Sequence, residues 1–482
     1  MNKIRVSKFF LYPATYILCF ATGAIIGVKT SLGLFPAGTV LLGIILFLVV
    51  FKLTRYAALI VLFMLGNIYA LFFIYFTNWQ FLSGCYVGTI SSQVNQYSED
   101  KIRYSFSFNA GKAVVESSDK KDLGYGDKVE ICLSDEYLKK LDGGWDKYYL
   151  SNYLSNRVYK DPPVKYLERG RGFRRSLADF SDFIGRRFYK LWPGDKGTLA
   201  KGLILGGSQN FTEEVKEALK NSGTSHLTAV SGYNVAIITV VVFNLMRLIS
   251  KRVAFLVTAV LLLSFVFLTG LTPSVMRAAL MGGAYLLSKM LGRPKMTMHF
   301  LVLAGFALLL ANPFIVYNIG SLLSFGATYG LIFAGDFLSK IASGPNNFWK
   351  IFLSTLGETT VAQIFVMPVL IYYFGQVSIL SPIANLFILP LIPFAMFFEF
   401  IALVLSFTNF YVGIFFAKLV EPVLSYIIFA IKFFGSSSYA VVIISSVNFW
   451  AVVLSYLVFY IAGRIIFRKI NLGNRVFGDH IK

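Results

Sequence analysis

The sequence predicts a polytopic α-helical membrane protein of about 12 transmembrane helices, with a small all-β domain inserted near its start. Three observations carry that prediction. Of the 482 residues, 56% are hydrophobic and only 14% charged, where soluble domains carry about a quarter charged residues. Mean hydropathy is +0.66, and apolar runs of roughly 20 residues, the length a bilayer core requires, recur along the chain. One stretch, residues 84–165, breaks this pattern with short alternating runs. Lys and Arg number 45 against 24 acidic residues, a net charge of +21. That excess fits the positive-inside bias of short loops and also the attraction of a polyanion; composition does not separate the two.

Residues 1–80 hold three expected spans, near 9–28, 34–51 and 56–76. The basic start MNKIRVSK leads into the first without a small-residue cleavage pattern, so it is read as a retained span, with Cys19 inside it. Lys3, Arg5 and Lys8 precede it, and Lys52 and Arg55 separate the second span from the third. Those loops are expected in the cytoplasm, which puts residue 77 onward outside.

Residues 84–165 contain CYVGTI, YSFSFN, KAVVES and DKVEICL, separated by Gly, Asn and Asp turns, the pattern of a small barrel or sandwich. Tyr104, Phe106 and Phe108 alternate with serine beside Lys101 and Arg103. Such a face either stacks on a single nucleic-acid strand or fills the barrel core, and the near balance of acids and bases here weighs against the first. Cys85 and Cys132 fall on two predicted strands, where an external compartment permits a bridge if the strands are neighbours.

Residues 169–220 form an interfacial region. The segment 169–192 places Leu177, Phe180, Ile184, Phe188 and Leu191 on one helical face with Arg174, Arg175, Arg186 and Arg187 around it, a helix suited to lie among lipid phosphates. LAKGLILGG is too short to span and reads as interfacial or re-entrant. Within 221–470, spans are expected near 226–248, 253–270, 274–291, 298–312, 315–334, 354–374, 383–407, 411–434 and 440–463. Arg247, Lys251, Arg252, Lys289, Arg293, Lys295, Lys340, Lys350, Arg464, Arg468 and Lys469 then fall on the side opposite the β domain, with both termini in the cytoplasm.

Polar residues inside these spans mark where function could reside. SGTSHLTAVSGYNVAII (222–238) opens a span with small and polar groups. On a helix Thr224, Thr228 and Ser231 form one stripe with Asn234 at its edge, while His226 points elsewhere. Such a stripe packs against other helices or faces a polar path, since lipid offers it no partner. Arg277 sits one turn into a span, able to reach the headgroups or to face a conduit. Ser321 and Ser324 share a face with small residues. Glu358 and Gln363 open one span and Asn385 lies in another, with Pro368, Pro382, Pro390 and Pro393 interrupting these helices. Lys418 and Glu421, one turn apart, are expected to pair, whereas Glu399 has no such partner in sequence. His226, His299 and His480 lie far apart, and no metal run, phosphate loop or nucleophile elbow is present, so neither a cofactor nor an enzyme is expected.

The phrase SHLTAVSGYNVAII closely resembles the signature of the ComEC family, the inner-membrane channel of bacterial DNA uptake. LTPSVMRAALMGGAYLLSKMLGRP (271–294), ANPFIVYNIGSLLSFGATYGLIF (311–333) and ETTVAQIFVMPVLIYYFGQVSILSPIANLFILPLIP (358–393) resemble further motifs of that family in the same order. LGYGDKVEI and GWDKYYLSNYL resemble its OB-like domain. Two departures stand out: Asn234 occupies a position where much of the family has His, and the metallo-β-lactamase-like domain of full-length members does not follow. The resemblance implies a channel passing single-stranded DNA across the bacterial cytoplasmic membrane during natural transformation. Its path would run along Thr224, His226, Thr228, Ser231, Gly232, Asn234, Arg277, Ser321, Ser324, Glu358, Gln363 and Asn385. Lys101, Arg103, Tyr104 and Phe106 would serve as a DNA face of the OB-like domain. The implied partners are single-stranded DNA, membrane lipids, a DNA receptor, a cytoplasmic ATPase or helicase and a separate nuclease. A transporter of a smaller anionic solute or lipid is the competing reading.

Overall fold

The computed structural model describes residues 83–461 except 93, 99–100, 110, 119–122, 140–148, 150–154, 156, 229–231, 271, 293–296, 336–337, 339–346, 438, 445–446, 449 and 460, together with 65–66 and 68–70. The spans expected at 9–28 and 34–51, most of that at 56–76, and Cys19 lie outside the described residues. The chain divides into two compact units. The first comprises Met1–Lys216, Ser225–Ser324 and Pro390–Phe429, the second Glu217–Thr224, Phe325–Leu389 and Ala430–Lys482.

The first unit contains the β domain: β1 (Gly84–Ile90), β2 (Asn95–Ser98), β3 (Lys101–Phe108), β4 (Gly111–Ser117), β5 (Lys128–Leu133), β6 (Val158–Lys160) and β7 (Val164–Glu168). The sheet runs β6-β4-β3-β1-β5-β7, with β2 on β3. Every pairing is antiparallel except the parallel β4–β6. Only Asp161, Pro162 and Pro163 separate β6 from β7. Asp161 has φ 49° and the prolines lack an N–H for the ladder, so the chain leaves β4 here and turns to β5. The alternation of β3 sends Ile102, Tyr104, Phe106 and Phe108 into one core with Ile90, Val129, Ile131 and Leu133. Burying each such large side chain contributes roughly 2 kcal/mol. Gly88 is the residue β1 needs at its tightest point, since a Cβ there would collide with the Ser107 carbonyl oxygen and the Phe106 ring.

A built junction ties this domain to the first helix, α1 (Phe173–Leu191). Asp127 is buried and accepts from Gly124 N and Gly170 N, each at 2.7 Å, and from Arg175 Nη1 at 2.9 Å. Arg175 also pairs with Asp179. Within the expected segment 169–192 the helix covers Phe173–Leu191; of its expected apolar face Ile184, Phe188 and Leu191 are buried, while Phe180 is exposed.

The other elements described in the first unit are helices: α2 (Asp195–Ile204), the start of α3 (Glu213–Asn221), α4 (Gly232–Met246), α5 (Lys251–Leu268), α6 (Pro273–Met290), α7 (Thr297–Ala311), the start of α8 (Ile319–Phe333), α11 (Ile392–Thr408) and the larger part of α12 (Phe410–Gly435). Helix α1 runs beside the start of α12. Phe183 stacks on Phe407, Arg187 lies 5.3 Å from the rings of both Phe407 and Phe410, and Trp192 Nε1 donates to the Ala417 carbonyl at 3.0 Å. The expected Lys418–Glu421 pair does not form. Glu421 instead takes Lys196 at 2.6 Å, and Lys418 is turned to the exposed side of α12. A spacing of three residues left the ion a better partner on another helix.

The second unit holds α9 (Asn347–Phe374), β8 (Gln376–Ser378), α10 (Ser381–Ile388), β9 (Val441–Ile443) and α13 (Trp450–Phe459). β8 and β9 pair antiparallel. Tyr456 donates to the Phe365 carbonyl at 2.7 Å, and Phe365 sits among Tyr329, Phe333 and Phe459. Among the described residues, four segments are long and apolar enough to cross a membrane: Lys251–Leu268, Phe352–Phe374, Ser381–Thr408 and Phe410–Gly435. Helices α4, α7, α8 and α13 are apolar but shorter. The third of those segments is interrupted at Leu389–Leu391 by a 3-10 turn containing Pro390, as the proline spacing predicts.

Candidate functional site

The signature stretch is not one helix, so the expected stripe of Thr224, Thr228 and Ser231 is not a helix face. Gly223 has φ 70° and stops α3, Ser225–Leu227 form a single 3-10 turn, and α4 is described from Gly232 onward. Thr224 belongs to the second unit, and Ser231 lies outside the described residues. His226 is exposed on the 3-10 turn.

In the first unit, Thr228 and Asn234 are built onto the end of α2. Gly206 and Gly207, at φ 81° and 108°, turn the chain back, and Gly207 N donates to the Thr228 carbonyl at 2.9 Å. Gly202 lies against the same turn: a Cβ there would come 3.1 Å from the Gly207 carbonyl oxygen and 3.5 Å from Thr228. Asn234 is buried, and its Nδ2 donates to the Leu203 carbonyl at 2.9 Å. That carbonyl is one of those a helix's own ladder leaves open at its C-terminus. The short piece LILGG therefore acts as a seat for the start of α4, a role its length alone did not disclose.

Arg277 on α6 is only 5% exposed. Its guanidinium lies over the first residue of α4: a Cβ on Gly232 would come 2.7 Å from Nη2. The same side chain reaches Met281 Sδ from Nη1 at 3.6 Å. Farther along, Gly282 of α6 meets Thr239 of α4, so the two helices run side by side in the same direction over a core of Val235, Leu262, Phe265, Val275 and Ala278. Ser274 Oγ donates to the Gly320 carbonyl at 3.2 Å, which ties α6 to the start of α8. There Asn318 Oδ1 caps Ser321 N at 2.8 Å; Ser321 is buried and Ser324 half-buried. Thr228, Gly232, Asn234 and Arg277 thus cluster about the start of α4.

The second unit has a polar cluster of its own. Ser222 Oγ and Thr224 Oγ1 bond at 2.7 Å. Ser381 Oγ donates to the Gly223 carbonyl at 3.4 Å and receives Asn385 Nδ2 at 3.3 Å, while Gln363 Nε2 donates to the Ser378 carbonyl. Gly223 permits this approach, for its Cβ would lie 2.6 Å from Ser381. Glu358 is exposed on α9.

The proposed DNA face of the β domain is corrected by burial. Tyr104 and Phe106 are 0% exposed; an aromatic ring inside the core of the β domain cannot stack on a base. Lys101 and Arg103 point to the opposite face of β3. Arg103 binds Glu116 at 2.8 Å, joined by Lys139 at 3.0 Å and the Tyr149 hydroxyl at 2.6 Å. Burial alone would push the Glu116 carboxyl up; the bonds from Tyr149 and Lys139 and the charges of Arg103 and Lys139 outweigh it and hold the carboxyl below its ordinary range. Cys85 and Cys132 stand directly opposite each other on β1 and β5 and form a disulfide.

The motifs now located on α4, α6, α8, α9 and α10 fall inside a stretch, residues 203–469, that matches the family model described as Competence protein. The chain belongs to the competence protein family. It is 32% identical over 210 residues to ComE operon protein 3 of Bacillus subtilis (strain 168), covering 42% of this chain and 26% of that protein. It is 24% identical over 219 residues to the uncharacterized protein YcaI of Escherichia coli (strain K12), covering 42% of this chain and 28% of the relative. The chain thus matches little more than a quarter of the length of either relative. No solved structure matches it.

Proposed function

We propose that the chain forms a conduit that passes single-stranded DNA inward across the bacterial cytoplasmic membrane during transformation. Membership of the competence protein family supports a part in DNA uptake. The observation that carries the nucleic-acid reading is Arg277 over Gly232. The first N–H groups of a helix lack acceptors and favour anions, and a buried guanidinium at that same end adds a full positive charge. A phosphate passing the start of α4 would meet both. Asn234 and Thr228 hold this end in place rather than reading bases, which suits a substrate of any sequence.

The β domain is read as an OB-like barrel on the external face. Its supports are the strand order, the parallel β4–β6 pair, and the short β6–β7 bend that joins the two sheet edges. The external side is favoured by the Cys85–Cys132 bridge, which belongs in an oxidising compartment. About 12 spans with cytoplasmic termini remain our reading of the Lys/Arg pattern. In the second unit, three connections that this pattern assigns to one membrane side meet: Ala218 packs on Gly435, Gly223 on Ser381, and β8 on β9. A DNA receptor, an ATPase or helicase and a separate nuclease complete the proposed machinery.

The test is Arg277→Gln, which keeps a polar side chain and removes the charge. In proteoliposomes the variant should insert at the parental level, lose oligonucleotide translocation and show a shallower salt dependence of oligonucleotide binding. Translocation at the parental rate would remove Arg277 from the path. A transporter of a small anionic solute or lipid would instead show a salt slope that does not grow with oligonucleotide length.

A further inference from the structure

Helix α11 buries one stripe that includes Ala395, Met396, Glu399, Ala402 and Leu403. Glu399 is 0% exposed, and among the described residues neither of its carboxyl oxygens has a hydrogen-bond partner. The helices that pack most closely on α11 are α2 and α1. Their buried faces bring no charge to it: α2 offers Gly197, Thr198, Leu199, Ala200, Gly202 and Leu203, and α1 offers Ile184, Phe188 and Leu191. The hydroxyl of Thr198 is already engaged with the Asn210 carbonyl at 3.2 Å.

The charged groups described on those two helices are turned elsewhere. Asp195 accepts from Thr212, Lys196 pairs with Glu421, Lys201 lies over the Tyr189 ring, and Arg187 lies over Phe407 and Phe410. Arg175 and Asp179 pair with each other, and Asp182, Arg186 and Lys190 are exposed. A carboxylate ion in this position would have surrendered its hydration with nothing in exchange, whereas the undissociated acid fits an apolar packing.

We propose that Glu399 is a proton-binding site that latches α11 onto α2. With the proton bound the stripe stays packed; when the proton leaves to water, the ion draws α11 away from α2. Helix α2 is the element whose Leu203 carbonyl holds Asn234 and whose Gly202 lies against Thr228. Proton loss at Glu399 therefore releases the start of α4. Only that last consequence rests on the transport reading; the proton itself is measurable without DNA.

Infrared spectroscopy of the whole protein in detergent should show the carbonyl stretch of an undissociated carboxylic acid at neutral pH. Glu399→Gln should lack it. No such band in the wild type, or an undiminished band in the variant, overturns the proton site. The latch is read by alkylation of Thr228→Cys in a Cys19→Ala background, normalised to the exposed Ser225→Cys to cancel thiol ionisation. Between about pH 6 and pH 9 the normalised rate should rise about tenfold in the parent and stay flat with Glu399→Gln. An equal rise in both overturns the latch. If the band is present while Arg277→Gln transports DNA normally, the conduit reading fails and the proton site stands; a missing band with transport lost in Arg277→Gln gives the reverse.

Discussion

Glu116 in β4 and Glu399 in α11 are both almost entirely removed from water, yet Glu116 accepts from Arg103, Lys139 and Tyr149 while Glu399 has no hydrogen-bond partner among the described residues. The difference follows from what each fold can bring alongside. Arg103 stands directly across the β3–β4 ladder from Glu116, so strand register itself supplies the partner. A helix inside an apolar bundle has only other apolar faces to meet. A satisfied buried carboxylate is part of the architecture; an unsatisfied one is retained at a cost to stability, which points to use.

The contrast breaks most visibly by truncation. Glu116→Ala leaves Arg103 and Lys139 without their acid beside a buried tyrosine hydroxyl, and should destabilise the β domain by about 3–5 kcal/mol. Hydrogen exchange of the β3 and β4 amides reads that loss directly. Glu399→Leu, a swap of similar bulk, should leave exchange in α11 unchanged or slower. If Glu399→Leu melts the bundle while Glu116→Ala is silent, the two carboxylates have been assigned the wrong way round.

Next in size is the bridge between β1 and β5. Cys85 and Cys132 close a separation of 47 residues, and replacing both with serine should cost the β domain about 2–4 kcal/mol. The loss should appear in β1 and β5 exchange and spare α4 and α6. A β domain indifferent to the substitution would mean its core suffices alone.

Much of this organisation was legible in the sequence, and the failures share a cause. Alternation in YSFSF announced strands, and the crowded core of Tyr104 and Phe106 was one of its two readings; alternation cannot say which face meets water. A period of 3.6 does not run through 222–238, because Gly223 in the left-handed region and the 3-10 turn Ser225–Leu227 break it. Partners distant in sequence were invisible. Asp127 finds Arg175, Lys196 finds Glu421, and Asn234 finds the Leu203 carbonyl. Local spacing favours Lys418 as the partner of Glu421, but it carries no information about Lys196 on a different helix.

Acid provides a smaller and graded version of the first contrast. The Glu116 carboxyl titrates below its unfolded value, so its contribution is present above the ordinary carboxylate range and is lost as pH falls through the folded-state value. Exchange in β3 and β4 should therefore accelerate in acid, and Glu116→Gln should flatten that response. An unchanged acid response in Glu116→Gln would shift the cause to another group.

The smallest effect tests whether the start of α4 is held by geometry or by residue identity. Asn234→Ala strips the donor from the Leu203 carbonyl, and a buried acceptor left open costs about 1–2 kcal/mol. Asn234→His keeps a ring N–H able to donate, so it should recover most of that loss if the side chain serves to tie α4 to α2. Exchange at residues 203–207, where the LILGG turn seats Thr228, is the local readout. Rescue by His and not by Ala identifies a positioning contact. If both variants leave the turn equally protected, the Gly207–Thr228 bond alone holds the seat, and any latch acting through α2 would have to pass through that bond instead.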